Sequence, residues 1–297
     1  MKRFNTISDI NRNFNIDPQH PLIDIRRYAD IISLIPSDSG SMVFDFYKIS
    51  FVNNFNGYMK YGQIKFSGEN GILYFVAPGQ EYSCTSTVPW DGYQILIHSD
   101  IFRSNFASRA IDTYRFFSYD VNESLLLTPE EEHTIEFLMH EVWDELNNKN
   151  DEFSIGIVLS YISSLLNTSE RFYARQFHTR KHISNQIAHD FFTLLNSYYS
   201  DAAGHNKQPT VLFFSEKLNI TANYLSDTLK FETGKPALAI IHEYVIEEAK
   251  KRLASSNKTV AHISDALGFE YPGYFSRLFK KKTSLSPSDF RKSVKRI

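Results

Sequence analysis

Arg277, Lys280, Lys281 and Lys282 put four cations into six residues, inside the stretch FEYPGYFSRLFKKKTSLSPSDFR at 269–291. The chain as a whole has a formal net charge of −2, so this cluster is a local choice. Residues 183–297 carry 16 Lys and Arg against 11 Asp and Glu, whereas the other 182 residues carry 16 against 23. A basic C-terminal third on an acidic body points to one part that meets a polyanion, although charge also fluctuates between ordinary domains. Other chemistry is thinly supplied. The strand-rich region holds His98, with His20 before it and His133 and His140 in a helical stretch; no HxH pair offers ligands on adjacent strands. Cys84 is the single cysteine. It excludes an intrachain disulfide and a Cys-rich zinc site, and it reads as a small hydrophobe rather than a nucleophile. Neither catalysis nor a metal or cofactor is expected.

Two kinds of element must position these groups. The first 120 or so residues read as β-structure. MVFDFYKISFV (42–52) is aromatic and β-branched, and IKFSGENGILYFV (64–76) sets Asn70-Gly71 between apolar runs, a hairpin signal. Pro78-Gly79 and Asp91-Gly92 punctuate the chain before YQILIH (93–98), predicting a sandwich or small barrel. Past residue 127 the period lengthens. Thr128, Pro129 and Glu131 spell a capping box, followed by Ile135, Leu138, Met139, Val142, Trp143 and Leu146 on one helical face. Ile155, Val158, Leu159, Ile162, Leu165 and Leu166 repeat the pattern, so 129–175 reads as a helix pair. Leu138, Val142, Leu146, Leu159, Ile162 and Leu166 are its candidate dimerisation residues, with packing against the β-structure as the alternative. The pattern then fades into charge, which predicts a linker at 176–184 between domains at 1–175 and 185–297.

The C-terminal domain reads as short helices with an internal repeat. A shift of 50 aligns Tyr224 with Tyr274, Ser226 with Ser276, Lys230 with Lys280 and Thr233 with Thr283, and sets Leu225 and Leu229 on Phe275 and Phe279. A shift of 49 aligns Leu218-Asn219-Ile220 with Leu267-Gly268-Phe269, so Asn219 and Gly268 share a turn that asks for left-handed backbone. Helix, tight turn and amphipathic helix make a helix-turn-helix, whose second helix fits the major groove. Two copies joined by a long helix at 236–255 could read two successive grooves, about 34 Å apart.

LNITANYLSDTLKFETGK and LGFEYPGYFSRLFKKKTSLSPSDFRK together resemble the DNA-binding domain of the AraC/XylS family of transcription regulators. The resemblance covers 185–293. It implies seven helices, two helix-turn-helix units read through 221–233 and 271–282, double-stranded DNA and RNA polymerase as partners, and activation rather than repression. It places Arg277 where a groove-facing arginine meets guanine O6 and N7, and Lys280, Lys281 and Lys282 at phosphates. Gly273 and Tyr274 join that face, Tyr274 being equally compatible with core packing. Asn223, Ser226, Asp227 and Lys230 are the first unit's candidates; Asp227 stands where the family often has arginine, and a carboxylate accepts from cytosine N4. The N-terminal part is loosely similar to a cupin-like effector and dimerisation domain. Tyr47, Tyr74, Tyr82 and Trp90 are candidates to bind a small-molecule effector there, against a core role. The expected class is α+β, an N-terminal cupin-like β-sandwich or barrel with a helix pair and then an all-α DNA-binding domain, acting as a homodimer. A cupin-type metalloenzyme and a non-specific nucleic-acid binder are the alternatives.

At 297 residues and 34.4 kDa the chain has room for two domains, and 42% hydrophobic with 22% charged residues describes a folded protein. No apolar run reaches the ~18 residues of a membrane span. MKRFNTISDINRNFNID lacks the apolar core of a signal peptide, and a lone cysteine suits a reducing compartment. A cytoplasmic protein with no membrane partner is expected.

Overall fold

The computed structural model describes residues 2–294 apart from 32–40, 54–56, 62–63, 69–70, 83–90, 104–109, 121–122, 150, 180 and 201–206. The chain divides into two units, Met1–Arg180 and Lys181–Ile297. Among the described residues, no helix is long and apolar enough to cross a membrane.

The first unit opens with β1 (Lys2–Phe4), α1 (Ile7–Phe14), β2 (Ile23–Arg27) and α2 (Tyr28–Ile31). There follow β3 (Met42–Phe44), β4 (Tyr47–Asn53), β5 (Gly57–Tyr61), β6 (Ile64–Gly68), β7 (Ile72–Val76), β8 (Glu81–Tyr82) and β9 (Asp91–Ile97). The unit closes with α3 (Asp100–Arg103), β10 (Leu125–Leu126), α4 (Pro129–Asp144) and α5 (Ser154–Thr179). Five strands form an antiparallel sheet in the order β10-β7-β4-β9-β2, beside a three-stranded sheet β1-β3-β8 and a β5-β6 ribbon. The central strand β4 is covered on both sides, which is why its run lacks clean polar alternation. On one face Val52, Ile72, Tyr74, Val76 and Leu96 pack with Phe4, Ile7, Phe44 and Phe46. On the other, Phe75 packs against Phe116, Phe117 and Tyr173 of α5, with its ring tilted or edge-on to theirs.

Several expectations change here. The turn Asn70-Gly71 does not join β6 to β7, because β6 pairs with β5 while β7 lies between β4 and β10; Asn70 is outside the described residues. Gly71 instead lets the Glu132 carboxylate reach its backbone N–H, in the space a side chain would fill. Of the candidate effector residues, Tyr47 and Tyr74 lie on opposite faces of the sheet. Ser50 pairs in register with Tyr74, so Tyr47, three residues earlier on β4, projects from the opposite face. Tyr47 meets Phe117 edge-on at 4.9 Å, and the Tyr74 hydroxyl lies 3.4 Å from that of Tyr28, which also bonds Ser50. Tyr82 is placed only as backbone in β8, and Trp90 and Cys84 lie outside the described residues.

The helix pair forms with the expected start. Thr128 Oγ1 accepts from Glu131 N at 3.3 Å, and Glu131 Oε2 accepts from Thr128 N at 3.0 Å. Its periodic stripe is already used: Leu138, Val142, Leu146, Leu159, Ile162 and Leu166 are all buried within the unit, so they offer no surface to a second copy. Period reports that a face is covered, not what covers it. The apolar residues left exposed on the pair are Phe137, Phe153 and Ile157. The stretch 176–184, read from the sequence as a linker, holds the end of α5 at Thr179, the start of the next helix at Lys181 and the division between the two units.

The second unit shows seven helices among its described residues. They are α6 (Lys181–Ser200), α7 (Val211–Leu218), α8 (Ala222–Thr233), α9 (Ala237–Ser255), α10 (Val260–Ala266), α11 (Pro272–Thr283) and α12 (Pro287–Val294).

Candidate nucleic-acid interface

Two helix pairs, α7–α8 and α10–α11, are built by the same local rules. Thr210 caps α7 by accepting from Phe213 N at 3.1 Å, and Thr259 caps α10 by accepting from His262 N at 3.1 Å. Asn219 ends α7 at φ 57, and Gly268 follows α10 at φ 80. These are the left-handed positions that their residue types predicted. The reading helices α8 and α11 then span 222–233 and 272–283, a shift of 50 at both ends. Because the turns align at 49, the second unit carries one extra residue between Phe269 and α11.

The second turn is pressed against the segment leading into α7. A Cβ on Gly268 would lie 2.4 Å from the Lys207 carbonyl carbon and 2.6 Å from its oxygen. That same oxygen accepts from the Tyr198 hydroxyl of α6 at 2.6 Å. One backbone segment is therefore held between α6 and the turn of the second pair.

Each pair hides an equivalent stripe. Leu225 and Leu229 of α8 are buried, as are Phe275 and Phe279 of α11, the latter among Val245, Ala249 and Leu253 of α9. What stays outside is also equivalent. On α8, Asn223, Ser226, Asp227 and Lys230 fall at i, i+3, i+4 and i+7; on α11, Gly273, Arg277 and Lys280 hold matching places, with Tyr274 and Lys281 beside them. Arg277, Lys280 and Lys281 are exposed and make no hydrogen bond or ion pair among the described residues. An exposed face of this kind can lie along a groove, offering one planar donor fork and flanking ammonium groups. Asp227 is already engaged within the fold.

Two of the aligned residues part company. Tyr224 is 3% exposed, whereas Tyr274 is 45% exposed. Phe269 stands where the first unit has Ile220, and its ring lies 6.0 Å from that of Tyr274 and 5.1 Å from that of Phe275. The larger ring takes up the interior space, and Tyr274 remains half outside.

Among the described residues, Lys282 is the member of this basic run that also meets a carboxylate. Its Nζ turns to Glu243 Oε1 of α9 at 3.5 Å, while Lys235, just past α8, reaches Glu243 Oε2 at 2.7 Å. The hydrogen bond from Lys235, followed by the charges of both lysines, holds the Glu243 carboxyl below its usual range. Next to it, burial and then Lys282 and Lys281 push the His242 imidazole down, which favours its neutral form. Sequence reading missed Glu243, because its partners lie 8 and 39 residues away with no shared motif.

The ends of the reading helices give a stability prediction. Gly234 terminates α8 at φ 76, but the equivalent residue after α11 is Ser284 at φ 64, whose hydroxyl makes no hydrogen bond among the described residues. A left-handed serine costs roughly 1–2 kcal/mol, partly offset by the greater freedom of an unfolded glycine. Ser284→Gly is expected to stabilise the second unit by about 0.5–1 kcal/mol, read as a higher urea midpoint at unchanged slope. A lower midpoint would refute the assigned cap.

Residues 214–293 match the family described as a helix-turn-helix domain. The chain is similar to the raffinose operon transcriptional regulatory protein RafR of Pediococcus pentosaceus, with 29% identity over 103 residues, covering 35% of this chain and 36% of that protein. It is similar to the MmsAB operon regulatory protein of Pseudomonas aeruginosa, with 35% identity over 77 residues, 26% of this chain and 25% of that one. The chain thus spans about a third or less of the length of these relatives. Among solved structures, the C-terminal domain of the two-component response regulator yesN from Fusobacterium nucleatum is 28% identical, covering 33% of this chain and 95% of that one at a TM-score of 0.30.

Proposed function

We propose that this chain, whose C-terminal unit is a helix-turn-helix domain of the AraC type, is a sequence-specific regulator of transcription that reads two successive major grooves with α8 and α11. The carrying observation is the repeat itself: two helices of equal span that bury the same stripe, Leu225 and Leu229 in one and Phe275 and Phe279 in the other, and differ in exposure at Tyr224 and Tyr274. One such pair is common in helical domains, whereas two with matched outer faces have a use on a repeating ligand. Arg277 is assigned to a base edge, and Lys230, Lys280 and Lys281 to phosphates. The first unit is read as a cupin-like sensing and dimerising domain. Since its periodic stripe is internal, a homodimer would have to use other residues. Activation through contact with RNA polymerase, control by a small effector and a cytoplasmic location complete the reading.

Selection of bound fragments from sheared genomic DNA at about 150 mM salt tests it. Recovery of one motif of two short elements about 10 base pairs apart is expected. Recovery of unrelated fragments would leave a non-specific binder, and recovery of none would remove nucleic acid from the account.

A further inference from the structure

The start of α11 is built differently from the start of α8, and the difference is chemical. Thr221 precedes α8 and caps it, accepting from Tyr224 N at 3.2 Å. The same place before α11 holds Tyr271, which makes no side-chain capping bond. A cap of this kind contributes about 1 kcal/mol, so the second helix forgoes a stabilising residue at its first turn. In its place stands an aromatic ring that is 67% exposed. Tyr274, one turn on, is half exposed and leans on buried Phe269. Between them Gly273 has nothing within 4 Å of where a side chain would begin. Neither phenol makes a hydrogen bond among the described residues, and both rings lie at the N-terminal end of the helix that carries Arg277 and Lys280. The first pair has no such edge, because Thr221 is spent on its cap and Tyr224 is buried.

We infer that Tyr271 and Tyr274 form an apolar reader of thymine, their ring edges packing on the 5-methyl group of thymines in the groove entered by α11. The inference rests on the DNA-reading function proposed above and deepens it. The N-terminal end of a reading helix is the part that approaches base edges, and the thymine methyl is the one apolar group displayed there. Gly273 keeps the gap between the rings open, so a methyl group can enter without displacing a side chain. The cations on the same helix favour a polyanionic duplex over an apolar protein partner for these rings.

The test uses the full chain and the motif recovered by selection, synthesised with each thymine in turn replaced by uracil, which differs only in lacking the methyl group. Loss of one buried methyl is worth about a fourfold change in Kd. The wild-type chain is expected to lose about that much at one or two thymines, all at the motif end read by α11. Tyr271→Ser and Tyr274→Ala are expected to bind the thymine duplex more weakly and to be indifferent to the uracil exchange there. Tyr271→Ser should also raise the unfolding midpoint by restoring the cap, which separates weakened reading from weakened folding. Indifference of the wild-type chain to every exchange overturns the inference while leaving the regulator standing. So does an unchanged uracil penalty in both variants. Failure to select any motif overturns the regulator and the thymine reader together.

Discussion

Gly268→Ala is expected to destabilise the second unit by about 3 kcal/mol or more, a large part of the 5–15 kcal/mol that holds an ordinary domain together. Two costs combine. At φ 80 an alanine pays roughly 1–2 kcal/mol for left-handed backbone. Its methyl group would also meet the Lys207 peptide at 2.4–2.6 Å, and backbone held by the Tyr198 hydroxyl cannot swing aside as a side-chain tip would. Forcing extra volume into a packed site typically adds 1–3 kcal/mol. Gly234→Ala supplies the control, because Gly234 has nearly the same φ, 76, and open space around it. It should show the backbone cost alone. Urea unfolding of the full chain, with hydrogen exchange to localise the loss to α10 and α11, measures both variants. Equal effects would mean that the second turn does not rest on the segment before α7.

Arg277→Ala is expected to weaken binding to the selected motif by about 5- to 150-fold, corresponding to the roughly 1–3 kcal/mol of a bidentate base contact, and to relax preference at one base pair. Stability should change by no more than about 0.5 kcal/mol, since the guanidinium is exposed and unpaired among the described residues. Arg277→Lys separates charge from geometry: it keeps the cation but loses the planar fork, so affinity should partly return while base preference does not. Competition binding against the motif and its single-base variants reads both quantities. A loss equal on all sequences would reassign Arg277 to phosphate.

Local chemistry was legible where residue type alone decides conformation. Asn219, Gly268 and the box formed by Thr128 and Glu131 announce their backbone geometry, because few residues tolerate left-handed φ or cap a helix. The repeat was legible for a related reason: a shift of 50 preserves the buried positions, and burial is what a repeated pair must preserve. Facing and partnership were less legible. Tyr224 and Tyr274 align yet differ in exposure, since the neighbouring Ile220 and Phe269 differ in bulk. The carboxylate beside Lys282 was not legible, because Glu243, 39 residues away, leaves no local sign. The stripe on the helix pair showed that something covers it, and the sheet and the second helix do so. Asn70-Gly71 failed as a hairpin signal because β7 finds its partners at long range, in β4 and β10.

Glu243, set on the helix between the two reading pairs, bears on how small ions move when the chain meets a duplex. Each protein cation that takes the place of a condensed salt ion on DNA releases it, and each release steepens the fall of log K with log salt by about 0.9. Lys235 and Lys282 share one carboxylate already in place, so one of their two charges is neutralised within the fold and together they displace about one ion fewer. On the proposed function, the chain thereby holds two positive charges close to α8 and α11 while adding the grip of only one on arbitrary sequence, and a larger share of its binding free energy is left to the contacts that tell one base from another.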